Sequence, residues 1–240
     1  MSKPIIGITG DVKAVDDERT GGARVQLNIN YAEMVARAGG VPLIITPHSD
    51  PESVASLIDG LLIPGGMDID AKHFGEENHP ANELQHPERF RIEEAVYRAL
   101  PPQLPILGIC YGCQFVNVMQ GGKLEQHTPD RVGSSEHSSG ELQTYAVDAE
   151  SRFASVVGAP IVEGRSFHHQ AVSLVGEGLK VVATHEDGTV EALEGTDGRF
   201  CILVQWHPER TPDDDATVRL FQSFIDGAKW YREQKHAAVS

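Results

Sequence analysis

Along the first half of the chain, apolar residues follow two kinds of spacing. Short unbroken runs, Ile5-Ile6-Gly7-Ile8-Thr9, Val41-Pro42-Leu43-Ile44-Ile45, Leu61-Leu62-Ile63 and Ile106-Leu107-Gly108-Ile109, read as strands buried on both faces. Pro42 sits near the start of its run, where it costs no central ladder bond. Between the runs the spacing becomes helical. Tyr31, Met34, Val35 and Ala38 share one face of a helix closed by Gly39-Gly40, and Phe115, Val118 and Met119 share a face of another that stops at Gly121-Gly122. A short helix is predicted from Pro51 to Ile58 and a longer one from Pro87 to Leu100. The polar stretches from Gly10 to about Gly22 and from Asp68 to about Gln85 are predicted loops. Strand and helix thus alternate, which predicts an α/β three-layer sandwich with a mostly parallel central sheet and helices on both faces.

The pattern changes after Lys123. His127 to Gly140 reads as a loop, and Leu142–Val147, Leu179–Thr184, Val190–Leu193 and Phe200–Gln205 read as closely spaced strands, with Asp197-Gly198 a turn between the last two. They predict an antiparallel extension of the sheet. A final amphipathic helix from Ala216 to about Tyr231 carries Leu220, Phe221, Phe224 and Ile225. There is no internal repeat or linker, so one domain over residues 1–240 is expected.

Composition narrows the class of protein. The formal charge of −15 is spread along the chain without a Lys/Arg cluster, which argues against nucleic acid or an anionic membrane as partner. No apolar run approaches the roughly 20 residues that span a bilayer. Met1-Ser2-Lys3-Pro4 leads straight into a strand without the zones of a secretory signal, and the three cysteines are too few for a disulfide framework. A cytoplasmic protein is expected. A homodimer is compatible with this composition.

The chemistry centres on Gly108-Ile109-Cys110-Tyr111-Gly112, where a strand meets a helix across a G-x-C-x-G turn. Such a turn holds a nucleophile at the carboxyl end of a sheet, and the helix N-terminus favours its thiolate. Cys110 is therefore a candidate nucleophile. A base and an orienting group are offered by Gln205-Trp206-His207-Pro208-Glu209: His207 and Glu209 project to one side if the preceding strand continues that far. Pro64-Gly65-Gly66 follows a strand as oxyanion-binding loops do, and the N–H of Tyr111 would supply a second donor.

Taken in order, Pro-Gly-Gly, Gly-Ile-Cys-Tyr-Gly-Cys-Gln and Trp-His-Pro-Glu resemble the motifs of the class I glutamine amidotransferase family. Ala38 to Pro42, Pro64 to Ile69 with Phe74-Gly75-Glu76, and Ser166-Phe167-His168-His169-Gln170 narrow the resemblance to its peptidase C26 branch, similar to the γ-glutamyl-γ-aminobutyrate hydrolases. The resemblance implies a flavodoxin-like fold and a Cys-His-Glu triad of Cys110, His207 and Glu209, with Gly66 and Tyr111 as oxyanion donors. It also implies that Gln114, Ser166 and His168 hold the glutamyl part of a small γ-glutamyl substrate, with no cofactor and no metal. Members close to those hydrolases commonly carry Arg where this chain has Tyr111, and Arg-Asp where it has Arg89-Phe90. Both departures are expected on the substrate side.

Other readings use the same residues. A glutaminase subunit feeding ammonia to a separate synthetase shares the chemistry. Cys110-Tyr111-Gly112-Cys113 spells the C-x-x-C of thiol–disulfide oxidoreductases, and Cys113 one helical turn away could bridge to Cys110 under peroxide. Cys110 and Cys113 with His127 or His137 have the ligand types of a zinc site but not its regular spacing. His73, His79 and His86 are expected in a solvated loop, with substrate contact the alternative.

Overall fold

The computed structural model describes residues 2–14 and 22–237. Strand β1 (Ile5–Thr9) starts the central sheet, and β2 (Asp11–Ala14) and β3 (Ala23–Gln26) pair only with each other. There follow α1 (Ile29–Arg37), β4 (Val41–Ile45), α2 (Pro51–Leu57), β5 (Gly60–Ile63), α3 (Pro87–Ala99), β6 (Ile106–Ile109) and α4 (Tyr111–Met119). The second half contains β7 (Lys123–Glu125), α5 (Thr128–Val132), β8 (Leu142–Val147), α6 (Arg152–Val157), β9 (Ile161–Arg165), β10 (Ala171–Leu174), β11 (Leu179–Thr184), β12 (Val190–Gly195), β13 (Cys201–Val204) and α7 (Asp215–Ala237).

The parallel strands lie in the order β4-β1-β5-β6-β13, which is 2-1-3-4-5 in chain order, the flavodoxin-like arrangement. From β13 the sheet continues antiparallel through β12, β11, β8 and β9. Strands β5, β6 and β13 are buried at every position because helices cover both faces. On one face Ile8, Leu62, Leu107 and Ile202 pack against α1, α6 and α7. On the other, Leu61, Ile63, Ile106 and Leu203 pack against α2, α3 and α4.

All three predicted loops hold structure, the one from Asp68 to about Gln85 a 3-10 turn at Ala71–Phe74 capped by Asp70. The one beginning at Gly10 contains β2, whose single buried apolar residue, Val12, is too little signal for a strand; its residues 15–21 lie outside the described residues. The one from His127 to Gly140 contains the five-residue α5, ended by Gly133 in the left-handed region, and a 3-10 turn at Glu136–Ser138. Among the described residues no helix is long and apolar enough to cross a membrane.

Sheet register positions the site. Ile63 pairs with Gly108 and Val204 with Ile109, so the chain leaves β5, β6 and β13 at one edge of the sheet. Pro64, Cys110 and Gln205 emerge side by side there, at the carboxyl ends where ligands of such sheets bind.

Candidate active site

Cys110 occupies the sharp turn between β6 and α4 with φ 52° and ψ −106°, and no other non-glycine residue among those described has a positive φ. A bulky L-residue pays on the order of 1–3 kcal/mol for such a backbone, which persists only where the surroundings enforce it. The enforcement is visible. The Cys110 N–H donates to the Val204 carbonyl at 2.7 Å, and Gly112 passes so close to β5 that a Cβ there would lie 2.0 Å from the Ile63 oxygen. The thiol is thereby held at the N-terminus of α4.

His207 lies beside Cys110, close enough for the charge of one to act on the other. Its Nδ1 lies 2.8 Å from Glu209 Oε1, which leaves Nε2 for the sulfur. The two residues meet through a 3-10 turn at Pro208–Arg210 and not on a continued strand, since β13 ends at Val204. Trp206, stacked on Tyr145 at 4.8 Å, anchors this segment in the core, and the His207 N–H donates to the Arg165 carbonyl at 2.9 Å. Burial by itself would push the His207 pKa down. The Cys110 thiolate beside it, aided by Glu209, outweighs burial and raises it to about 10.

That shift has a measurable sign. His207 stays cationic in the folded protein from its ordinary value of 6.5 up to about 10, so its stabilising contribution is complete below the former and lost as pH rises through the latter. Imidazole NMR should show His207 protonated at pH 8 to 9 in the parent and titrating lower in Cys110→Ala. Identical titration in both would remove the thiolate–imidazolium pair.

Tyr31 on α1 completes this side. Its hydroxyl accepts from the Gly65 N–H at 3.1 Å and lies 3.3 Å from His207 Nδ1, while burial, then the Glu209 and Cys110 charges, hold its pKa well above 10. The loop after β5 presses on the imidazole: a Cβ on Gly65 would stand 2.7 Å from His207 Cε1. Under the loop, fully buried Arg89 donates to the carbonyls of Pro64 (2.8 Å) and Gly65 (3.2 Å) and to Glu93 (2.9 Å). Glu93 also accepts from the Thr9 and Tyr111 hydroxyls, at 2.6 and 2.7 Å. The Gly66 and Tyr111 N–H groups donate to no protein acceptor among the described residues.

The departures expected on the substrate side lie elsewhere. The Tyr111 side chain is buried beneath the guanidinium of Arg89, 4.1 Å from its ring centre, and Phe90 is buried against His73 and Phe115. Only the backbone of Tyr111 faces the turn.

Two cavities flank the loop after β5. One of about 400 Å³ is lined by Gly66, Asp68, Glu83, His127, Phe167 and His169, among others. The other, about 430 Å³, is lined by Asp11, Tyr31, Gly65, His207 and Arg210 among others. A larger cavity of about 590 Å³, near Pro105 and Phe200, sits at the opposite, amino end of the strands and contains none of these residues. Phe167 stands between the two flanking cavities, 45% exposed, with His207 at its edge and Arg210 over its face. Ser166 and His168, which the resemblance implies as substrate contacts, are 0% and 3% exposed. They bond instead to the carbonyls of His137 (2.6 Å) and Gln170 (3.0 Å). The segment presents Phe167 and His169, not its even-numbered neighbours, to the cavity. Gln114 is also buried, donating to the Gln170 carbonyl and to Gln205 Oε1.

The remaining candidates separate. His73 stacks on Phe90, His79 on His127, and His86 caps α3. Cys113 is buried, and burial followed by the Cys110 charge pushes its thiol pKa well up, which holds it as the unreactive thiol. Potential metal-ligand groupings among the described residues contain neither Cys110 nor Cys113.

The fold and this constellation define an α/β protein of glutamine amidotransferase type. A crystal structure titled as a "putative gmp synthase subunit a protein" from Thermoplasma acidophilum superposes with a TM-score of 0.69, covering 98% of this chain and 99% of that one at 16% identity, which supports the fold. The peptidase C26 family model matches residues 4–209, and the chain belongs to that family. A Mycobacterium tuberculosis protein named "Putative glutamine amidotransferase Rv2859c" is 39% identical over 99% of this chain and 79% of its own length. The γ-glutamyl-γ-aminobutyrate hydrolase of Escherichia coli O157:H7 is 30% identical over 98% of this chain and 97% of its own.

Proposed function

We propose that this protein hydrolyses the γ-glutamyl amide bond of a small γ-glutamyl compound through a thioester on Cys110. The observation that carries the reading is the convergence of Cys110, His207 and Glu209 at the carboxyl edge of the sheet, with the Gly65 end of the loop after β5 against the imidazole. The Cys110 thiolate adds to the γ-carbonyl, and the N–H groups of Gly66 and Tyr111 hold the resulting oxyanion. His207 gives its proton to the departing nitrogen as the C–N bond breaks. Water then attacks the thioester, returning its proton to His207 and the electron pair of the C–S bond to Cys110.

The flanking cavities suit the two halves of such a substrate. Asp68 and Glu83 offer carboxylates to the glutamyl ammonium, and His169, its pKa raised by a hydrogen bond to Asp68 at 2.9 Å, offers a cation to the α-carboxylate. The amine would leave on the side of Asp11 and Arg210. A panel of γ-glutamyl amides, with leaving amines that are cationic, carboxylated or ammonia itself, tests the reading by released amine. Turnover of at least one amide by the isolated chain is expected. Activity on glutamine alone, and only with a second protein added, would replace it with ammonia supply to a synthetase.

A further inference from the structure

Behind the elbow helix lies a cluster that the proposed chemistry does not use. His137, His168 and Glu191 are 1%, 3% and 0% exposed, and one nitrogen or oxygen from each falls within 4.8 Å of the others. Their outer hydrogen bonds fix the imidazole tautomers. His137 Nε2 is 2.8 Å from Asp187 Oδ2, and His168 Nδ1 is 3.0 Å from the Gln170 carbonyl, so both N–H groups point outward. What remains inside is two lone pairs, on His137 Nδ1 and His168 Nε2, aimed at a carboxylate. None of these atoms has a hydrogen-bond partner, and neither has Glu191 Oε2.

Three buried acceptors facing one another repel unless a cation lies between them. The separations identify its size. His137 Nδ1 and His168 Nε2 stand 3.4 and 3.5 Å from Glu191 Oε1. A direct charge-assisted hydrogen bond would be about 2.7–2.9 Å. A tetrahedral centre with bonds of about 2.0–2.1 Å spaces its donors by roughly 3.3 Å. We propose that His137, His168 and Glu191 bind a zinc-class divalent metal ion, with both carboxylate oxygens of Glu191 available to it and Asp187 and the Gln170 carbonyl orienting the imidazoles. Carboxylate and carbonyl acceptors behind metal-bound histidines are the usual outer partners of such sites. The charges also close, since the dication meets the carboxylates of Glu191 and Asp187.

The role is structural. The ion would tie the turn carrying His137 and strand β12 to the 166–170 segment, whose Phe167 and His169 line the smaller flanking cavity. The full chain should be loaded with Zn²⁺, freed of excess by gel filtration with a weak chelator, and assayed for metal by mass spectrometry. Stoichiometric zinc is expected in the parent and in His127→Ala, which alters the more exposed histidine cluster, and none in Glu191→Gln or His168→Ala. A strong chelator should lower the melting temperature of the parent only. Should the variants fail to fold, cobalt titration of the parent decides, with the intense visible bands of four-coordinate Co²⁺ expected. No retained zinc and no such bands would overturn the proposal and leave a shared proton in the cluster. Zinc lost in His127→Ala but kept in Glu191→Gln would overturn it too, as an adventitious ion only. None of these readouts depends on γ-glutamyl hydrolysis.

Discussion

Replacing Cys110 with Ala should reduce amine release by roughly 10⁴-fold or more, because removing a nucleophile that works as a unit with its base removes the covalent route altogether. The fold should survive. Ala deletes one sulfur at the margin of one core, at a position whose backbone is dictated by the Val204 hydrogen bond and the approach of Gly112 to β5, and it leaves the other core residues on both faces of the sheet in place. A folded variant that melts below the parent by the lost thiolate–imidazolium pair, with activity gone, is the expected pair of results. Substantial turnover by Cys110→Ala would remove the thiol from the chemistry.

The largest stability effect is expected at Arg89. Its guanidinium is fully buried, bonded to Glu93 and to the carbonyls of the loop that carries Gly66. Taking away one member of a buried ion pair strands the other, at a cost of about 3–5 kcal/mol. Arg89→Met should therefore lose roughly 10 °C of melting temperature for a chain of this size. Adding Glu93→Gln should recover part of that loss, since the stranded charge disappears while an acceptor for Thr9 and Tyr111 remains. Activity should fall even where the variant is folded, because the loop loses the two bonds that fix its peptide planes. A melting temperature unchanged from the parent would show that the network does not hold the loop.

Much of the parallel half was legible because strands covered on both faces must be apolar throughout, and β1 and β6 fall on the predicted runs residue for residue; β4 does so too, although as the edge strand it buries only Ile45. The antiparallel half was less so. Strand β9 reads Ile-Val-Glu-Gly-Arg with only Val162 and Gly164 buried, and Gly164 is there because the Trp206 ring occupies the place of a side chain, 2.1 Å from where a Cβ would stand. Helix α6 announced itself only by its caps, Ser151 bonded to the Ala154 N–H and Gly158 in the left-handed region.

At the site, motif spacing led to Cys110, His207 and Glu209, but not to the 3-10 turn that joins the last two. At 166–170 the resemblance pointed to Ser166 and His168, whereas Phe167 and His169 face the cavity; which residues do so depends on where β9 ends, and that strand was not predicted. Arg89 and Glu93 were unreadable for another reason. An i,i+4 pair of opposite charges ordinarily marks a solvated helix face, and only packing shows that this one lies inside.

The most direct test of the central claim is to mix enzyme with an accepted γ-glutamyl amide, quench within a single turnover and measure intact mass followed by peptide mapping. A glutamyl adduct on the peptide containing Cys110, formed as the amine is released and discharged by water, is the expected result. Amine release with no adduct at any time under conditions that preserve thioesters, or an adduct on another residue, would contradict it.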